Sequence, residues 1–296
     1  MKKVAVLVST YNGENYIASQ LDSIINQTYK NIDIYVRDDC SKDHTLDVLK
    51  KYEKDNKIIL IKSNKNLGYP EAFYEMLKKA KADYYAFSDQ DDVWEKDKIE
   101  IAVRNLNKSK EKTPALFYAN YEVTDVDLKH IRYSIGPNRK PDFRYSIFSS
   151  LGLGFTYVLN HSAKELVLNK RSIKNITKDV WIGMLVSAFG DVYFSDKYCA
   201  KHRRNPGAYS SQDTTFIAIQ KDRIKKFLKN DGFKKVKSVI CEFYDMFKDD
   251  LKYQDRKDLE LFLSNKRLKK VFFPHRLRYD FKDELMLRIV FLLGRL

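Results

Sequence analysis

The sequence predicts an α/β fold: a mainly parallel central sheet flanked by helices, followed by a helical C-terminal extension. Three observations carry this. Apolar runs alternate with stretches of helical spacing from the N-terminus to Asp92, as strands joined by crossover helices require. Polar clusters stand where three of those runs end. Basic residues gather towards the C-terminus, among apolar residues at helical spacing.

The elements follow in order. Val4 to Val8 is a continuous apolar run, the mark of a strand buried on both faces. From Glu14 to Gln27, Tyr16, Ile17, Leu21, Ile24 and Ile25 fall on one helical face. Ile32 to Val36 is a second strand, and Ser41 or Asp43 can cap a helix running to about Asp55. Ile58 to Ile61 is a third strand, Asn64 to Gly68 a turn, Pro70 to Lys81 a helix, Tyr84 to Phe87 a fourth strand, and a helix begins near Trp94. Further on, Ala115 to Tyr121 and Val192 to Phe194 read as strands and Asp179 to Phe189 as a short helix. Gly152 and Gly154 mark a place where backbone approaches a ligand closely. After Thr215 the pattern is helical, broken at Asp231-Gly232 and Pro274.

Composition narrows the function classes. Hydrophobic residues are 44% and charged residues 32% of the chain, so a buried core is expected and disorder is not. Cys40, Cys199 and Cys241 form neither a metal-ligand spacing nor a disulfide framework, which suits reduced thiols in the cytoplasm. Met1-Lys2-Lys3 precedes only a short apolar run, which predicts no secretory signal. No stretch reaches the roughly 18 apolar residues of a spanning helix; Leu285 to Leu293 is interrupted by Arg288. The net charge is +15, and from Thr215 onward Lys and Arg outnumber Asp and Glu by 21 to 12.

Ligands of open α/β sheets bind beyond the carboxyl ends of the strands, where clusters distant in sequence converge. Here those clusters are Ser9 to Glu14, Asp38 to Ser41 and Asp89 to Asp92. The carboxylates of Asp89, Asp91 and Asp92 repel one another unless a cation sits between them, and Mg²⁺ or Mn²⁺ takes one or two carboxylates plus phosphate oxygens. The same residues can instead cap a following helix. Asp38 and Asp39 can accept from a base or a ribose, or serve as turn and capping groups, and Glu14 can be a plain first-turn carboxylate. Neither Gly-x-Gly-x-x-Gly nor Gly-Lys-Ser/Thr occurs, so a dinucleotide fingerprint and a P-loop are both unsupported.

Ser9-Thr10-Tyr11-Asn12, Arg37-Asp38-Asp39-Cys40-Ser41, Asn66-Leu67-Gly68 and Ser88-Asp89-Gln90-Asp91-Asp92-Val93-Trp94 follow the four strands in order. Together they resemble glycosyltransferase family 2, with its GT-A nucleotide-diphospho-sugar fold, and in particular the bacterial rhamnosyltransferase-like branch of surface polysaccharide assembly. The resemblance implies that Thr10, Tyr11, Glu14, Asp38, Asp39, Asn66, Gly68 and Asp89 line the nucleotide site. It implies that Asp91 binds Mn²⁺ or Mg²⁺, with His202, in Lys201-His202-Arg203-Arg204-Asn205, as a second ligand or phosphate contact. Lys178-Asp179-Val180-Trp181 is similar to a His-Asp-Trp-Trp motif whose Asp is the general base, so Asp179 is the expected catalytic residue. The chain departs from the pattern at Cys40, where Gly is usual, at Ala72, where Asn is frequent, and at Lys178 and Val180.

The implied enzyme inverts the anomeric centre. It moves a sugar from a nucleotide-diphospho-sugar, with dTDP-rhamnose first and a UDP-hexose as alternative, to a lipid-linked or growing cell-surface or capsular saccharide. The expected organisation is a GT-A domain over 1–214, with a nucleotide-binding half (1–110) and an acceptor and catalytic half (111–214), then a basic helical extension over 215–296. Lys225-Lys226, Lys234-Lys235, Lys266-Arg267, Lys269-Lys270, Arg276 and Arg278 alternate with apolar residues. That pattern fits helices lying on anionic lipid, at the inner face of a bacterial membrane, or a helical cap with a solvated outer face. A nucleic-acid-binding protein would leave the acidic strand ends unexplained, so no nucleic-acid partner is expected; a nucleotide-sugar-binding protein without catalysis is the remaining alternative.

Overall fold

The computed structural model describes residues 1–137, 141–172, 177–204 and 231–296. Asn205, Lys225-Lys226 and the 214/215 domain boundary lie outside the described residues.

The first half builds as the apolar runs dictate. Strands β1 (Val4–Thr10), β2 (Ile32–Asp38), β3 (Ile59–Ile61) and β4 (Tyr84–Ser88) alternate with helices α1 (Ile17–Ile25), α2 (Thr45–Lys54) and α3 (Glu71–Lys79). They pair in parallel in the order β3-β2-β1-β4. Val4 to Val8 is wholly buried because both faces of the sheet are covered: Ala5 and Leu7 pack in one apolar cluster, Val4, Val6 and Val8 in another. The carboxyl ends of β1, β2 and β4 therefore emerge along one edge, carrying Thr10, Asp38 and Ser88-Asp89.

The second half makes the sheet mixed. A two-residue strand β5 (Val93–Trp94) stands where a helix start was expected, and α4 begins later (Lys98–Leu106). Then come β6 (Ala115–Thr124), β7 (His130–Tyr133), α5 (Phe143–Phe148), a 3₁₀ turn (Gly154–Thr156), β8 (Val158–Asn160), α6 (His161–Asn169), α7 (Lys178–Phe189) and β9 (Asp191–Arg203). β8 inserts antiparallel between β4 and β6, while β9 runs parallel to β6 and its far end pairs with β5. That last pairing returns His202 and Arg203 to the Asp89–Asp92 segment.

The C-terminal helices α8 (Asp231–Phe247), α9 (Tyr253–Leu263), α10 (Arg267–Val271) and α11 (Phe281–Leu292) join the same core. Phe243 and Phe247 pack on Trp181, and Phe262 and Phe291 on Phe148. Pro274 falls in the break between α10 and α11, and Asp231-Gly232 opens α8.

Candidate active site at the carboxyl edge of the sheet

The turns after β1 and β2 are tied to each other. Asn12 N donates to Ser41 Oγ at 2.9 Å, Lys42 N to Asn12 Oδ1 at 2.8 Å, and Gly13 N to Thr45 Oγ1 at 2.8 Å. Glu14 accepts from His44 N at 2.8 Å, at the mouth of α2. Gln90 joins this pair to β4: its Oε1 accepts from Thr10 Oγ1 (2.7 Å) and Tyr11 N (2.8 Å), and its Nε2 donates to Tyr11 O (3.1 Å). Thr10 is buried while the Tyr11 ring is exposed beside it.

Asp38 accepts from Ser41 N and Ser41 Oγ, closing the turn that holds Cys40 at φ +68°. Such a backbone favours glycine, the residue this chain lacks there. Asp39 is fully engaged. It pairs with the buried Arg37 guanidinium and accepts from Leu67 N (2.8 Å) and Gly68 N (2.6 Å). Burial alone would raise its pKa; these N–H donors and the Arg37 charge more than offset that and hold the carboxyl below its ordinary range. Arg37 also donates to Glu75, Ser63 Oγ and Lys65 O, so the Arg37–Asp39 pair builds the 63–68 loop. Gly68 has φ +68° and Asn66 is exposed on that loop.

The acidic segment after β4 divides by burial. Asp92 is wholly buried; its Oδ1 lies 2.8 Å from His202 Nδ1, and its Oδ2 has no partner among the described residues. Phe155 stacks on the His202 ring at 4.9 Å, and Tyr121 meets its edge. Burial would lower the His202 pKa, but the Asp92 carboxylate raises it by more. Burial pushes the Asp89 carboxyl up to about 7; the Lys178 ammonium opposes this, and the charges of Asp92, Asp91 and Asp179 add to it. Arg203 holds the segment from behind, donating to Asp91 O at 3.0 Å.

Asp179, in the first turn of α7, has three donors. Tyr69 Oη (3.0 Å) and Lys178 Nζ (3.1 Å) reach Oδ1, and Gly154 N (2.9 Å) reaches Oδ2. Lys178 is almost wholly buried. It also donates to Tyr69 Oη at 3.0 Å, and lies over the rings of Tyr69 and Phe73. The lysine that replaces histidine is thus a buried cation linking Asp179 to the Asp89 field. A Cβ on Gly154 would collide with Asp179 and Lys178, and one on Gly152 would sit 2.9 Å from Tyr118; Gly152 also lines a cleft with Tyr118 and Leu153.

The structure therefore brings Thr10, Tyr11, Asp38, Asp89, Asp91, His202 and Asp179 to one edge, and places Glu14 and Asp39 in structural hydrogen bonds. Among the described residues no three His, Cys, Asp or Glu side chains already stand in a metal-ligating arrangement. Sequence reasoning missed Gln90, Arg37, Tyr69 and the Asp92–His202 bond. Asp39 stands just past the end of β2 and meets Arg37 only through the turn, and Tyr69 and Asp92 depend on contacts across 110 residues and carried no local signal.

A half-parallel sheet with this carboxylate-rich edge is the architecture of a GT-A glycosyltransferase. The sequence profile of Glycosyl transferase family 2 matches residues 5–161, and the chain belongs to that family. Among its relatives, the UDP-Glc:alpha-D-GlcNAc-diphosphoundecaprenol beta-1,3-glucosyltransferase WfaP of Escherichia coli is 28% identical over 87% of this chain and 100% of its own length. The dTDP-rhamnosyl transferase RfbG of Shigella flexneri is 32% identical over 59% of this chain and 62% of its own. Staphylococcus aureus TarS, solved with UDP-GlcNAc, superposes with a TM-score of 0.63 at 18% identity, covering 99% of this chain and 80% of that one. The chain is a glycosyltransferase.

Proposed function

We propose that this enzyme transfers a sugar, with inversion, from a nucleotide-diphospho-sugar to a lipid-linked saccharide during cell-surface polysaccharide assembly. The observation that carries the reading is the convergence of Asp179 and Asp89 around Lys178, beside the tied turns of β1 and β2. The names of the relatives support both a UDP-hexose and dTDP-rhamnose as donor; WfaP matches over its whole length, which favours UDP-hexose.

Each residue has a role that follows from its contacts. An acceptor hydroxyl is a poor nucleophile near neutral pH, so a placed carboxylate must take its proton. A carboxylate offers about four lone-pair directions; three of those on Asp179 are filled by Tyr69, Lys178 and Gly154, leaving one on Oδ2 for the hydroxyl. These donors also fix its geometry. The family resemblance supports Tyr11 and Asp38 as the nucleoside contacts, with Thr10, Asn66, Gly68, Glu14 and Asp39 shaping the loops around them. Asp91 and Asp89, with His202 Nε2 oriented by Asp92, would hold Mn²⁺ or Mg²⁺. The crowding of carboxylates, and an Asp92 Oδ2 without a partner among the described residues, suit a cation there. That metal would supply Lewis-acid neutralisation of the leaving diphosphate.

Association with an anionic membrane surface is supported by α11, which is apolar on both faces. Leu287, Val290 and Phe291 pack inward, while Phe281, Leu285, Ile289 and Leu292 are exposed and flanked by exposed Phe272 and Leu268. Apart from Lys282, the exposed side chains of α11 are apolar, and such a face needs a second apolar partner. No described helix is long and apolar enough to cross a membrane.

Thermal unfolding with UDP, dTDP and GDP, with and without Mn²⁺, tests the reading. A ligand at 100 times its Kd adds about 2.7 kcal/mol. A metal-dependent shift with UDP or dTDP, abolished in Asp91→Ala, is expected; no shift with any nucleotide would refute it.

A further inference from the structure

Lys98 stands against stability on two counts. It opens α4 and is wholly buried. A cation in the first turn opposes the helix dipole, and a buried ammonium costs free energy unless a partner compensates it. The partner here is a neutral carbonyl. Lys98 Nζ donates to Phe155 O at 2.6 Å and lies 3.5 Å from the centroid of the Trp94 ring. Breaches of local rules are expected where function holds a residue in place.

The ammonium holds the 3₁₀ turn Gly154–Thr156, and these three residues touch both sides of the site. Gly154 N donates to Asp179 Oδ2 at 2.9 Å. The next residue, Phe155, stacks its ring on His202 at 4.9 Å, with the two planes 14° apart. The turn closes through Thr156 N to Leu153 O and Tyr157 N to Gly154 O, both at 2.9 Å, and neither bond uses Phe155 O. Such short 3₁₀ segments have poor hydrogen-bond geometry and hold themselves weakly. The bond from Lys98 ties the Phe155 carbonyl to α4 across 57 residues of chain.

We propose that Lys98 is a positioning residue of the transferase: through Phe155 O it sets the 154–156 turn, which delivers Gly154 N to Asp179 and the Phe155 ring to His202. The inference rests on the roles proposed above for Asp179 and His202.

Lys98→Met removes little but Nζ and keeps the length of the stem. Two measurements on the full chain test the inference. The first is the Mn²⁺ concentration that gives half of the UDP- or dTDP-induced thermal shift. It should rise about 10-fold, at the lower end of the roughly 10–100-fold that follows loss of an outer support. The second is nucleoside diphosphate release from UDP-glucose or dTDP-rhamnose at saturating Mn²⁺. There kcat should fall about 10-fold with the donor KM little changed, and the fall should vanish in the Asp179→Asn background. A lysine that only supports the fold would lower the thermal midpoint and move neither quantity. If Lys98→Met does not fold, Lys98→Gln, whose amide stops one atom short of Nζ, carries the same expectations. Failure of both to fold makes Lys98 a core residue and overturns the inference. So does an unchanged Mn²⁺ midpoint, an unchanged kcat, or a fall in kcat that persists in full beside Asp179→Asn. If the wild type shows no Mn²⁺-dependent shift, or Asp179→Asn alone keeps the wild-type kcat, the failure lies in the reading beneath.

Discussion

Gly154→Ala tests the geometry of Asp179 without touching a charge. The Gly154 backbone lies outside the left-handed region, so alanine can adopt it. The new methyl would stand 2.8 Å from Asp179 Cγ and 2.5 Å from Lys178 Nζ, where ordinary contact begins at 3.4 Å. The carboxylate must therefore retreat by roughly 1 Å, and a displacement of that size at a reacting group costs on the order of 10²-fold in rate. That equals about 2.7 kcal/mol in the barrier. The assay is release of nucleoside diphosphate from the donor found by thermal shift, with kcat and KM separated. The expected result is a fall of about 10² in kcat with nucleotide binding retained. In Asp179→Asn, Gly154→Ala should add almost nothing, because both act through one carboxylate. A Gly154→Ala enzyme with near-normal kcat, or full additivity with Asp179→Asn, would refute the role given to Asp179.

Other predictions follow from single contacts. Asp92→Ala removes the partner of His202 Nδ1 and should weaken the Mn²⁺ dependence of the nucleotide-induced thermal shift by about 10–100-fold in metal concentration; an unchanged Mn²⁺ titration would argue against His202 as ligand. Cys40→Gly relieves a left-handed residue at φ +68° and should raise stability by up to about 1 kcal/mol, since relief of roughly 1–2 exceeds the added chain entropy; a lower urea midpoint would contradict it. Burial of Lys98 brings its pKa down to about 7 from the ordinary 10.5, with Nζ bonded to Phe155 O and set over Trp94. Between those values the unfolded chain binds more protons than the folded one, so stability should rise with pH from about 7 towards 10, by at most about 1.4 kcal/mol per unit. Urea unfolding of Lys98→Met across that range should show the rise removed.

The legible part of the fold was the part whose signals are local. β1 and β4 are parallel strands covered on both faces, so each reads as an unbroken apolar run; between Ile32 and Val36 β2 is interrupted only by Asp33, and α1 to α3 show their buried stripes. β5 has two residues and β8 three, too few for a period, and both form only because β9 and β6 offer distant edges. α6 had a usable sign, an Asn160 side chain accepting from Ala163 N ahead of Leu166 and Val167. In the site, the residue types were readable but their states were not. Asp38-Asp39 is one dipeptide, yet Asp39 is closed off by Arg37 and the 67–68 amides while Asp38 caps its own turn. Nothing in the dipeptide says which carboxylate will meet a buried guanidinium.

The exposed side of α11 can be tested apart from the nucleotide site, because its side chains lie away from the carboxyl edge of the first four strands. Phe281 is 70% exposed; Leu285 is 53% exposed one turn on. If α11 seats the enzyme on anionic lipid, a lipid-linked acceptor is held in the same bilayer as the enzyme. Phe281→Glu with Leu285→Glu should then abolish flotation with phosphatidylglycerol vesicles and depress transfer to a vesicle-borne acceptor. The nucleotide-induced thermal shift should stay at the wild-type level because neither side chain faces the core. If the double variant floats as well as a floating wild type, another surface holds the vesicle and the role given to α11 is wrong; a wild type that does not float refutes the membrane reading itself.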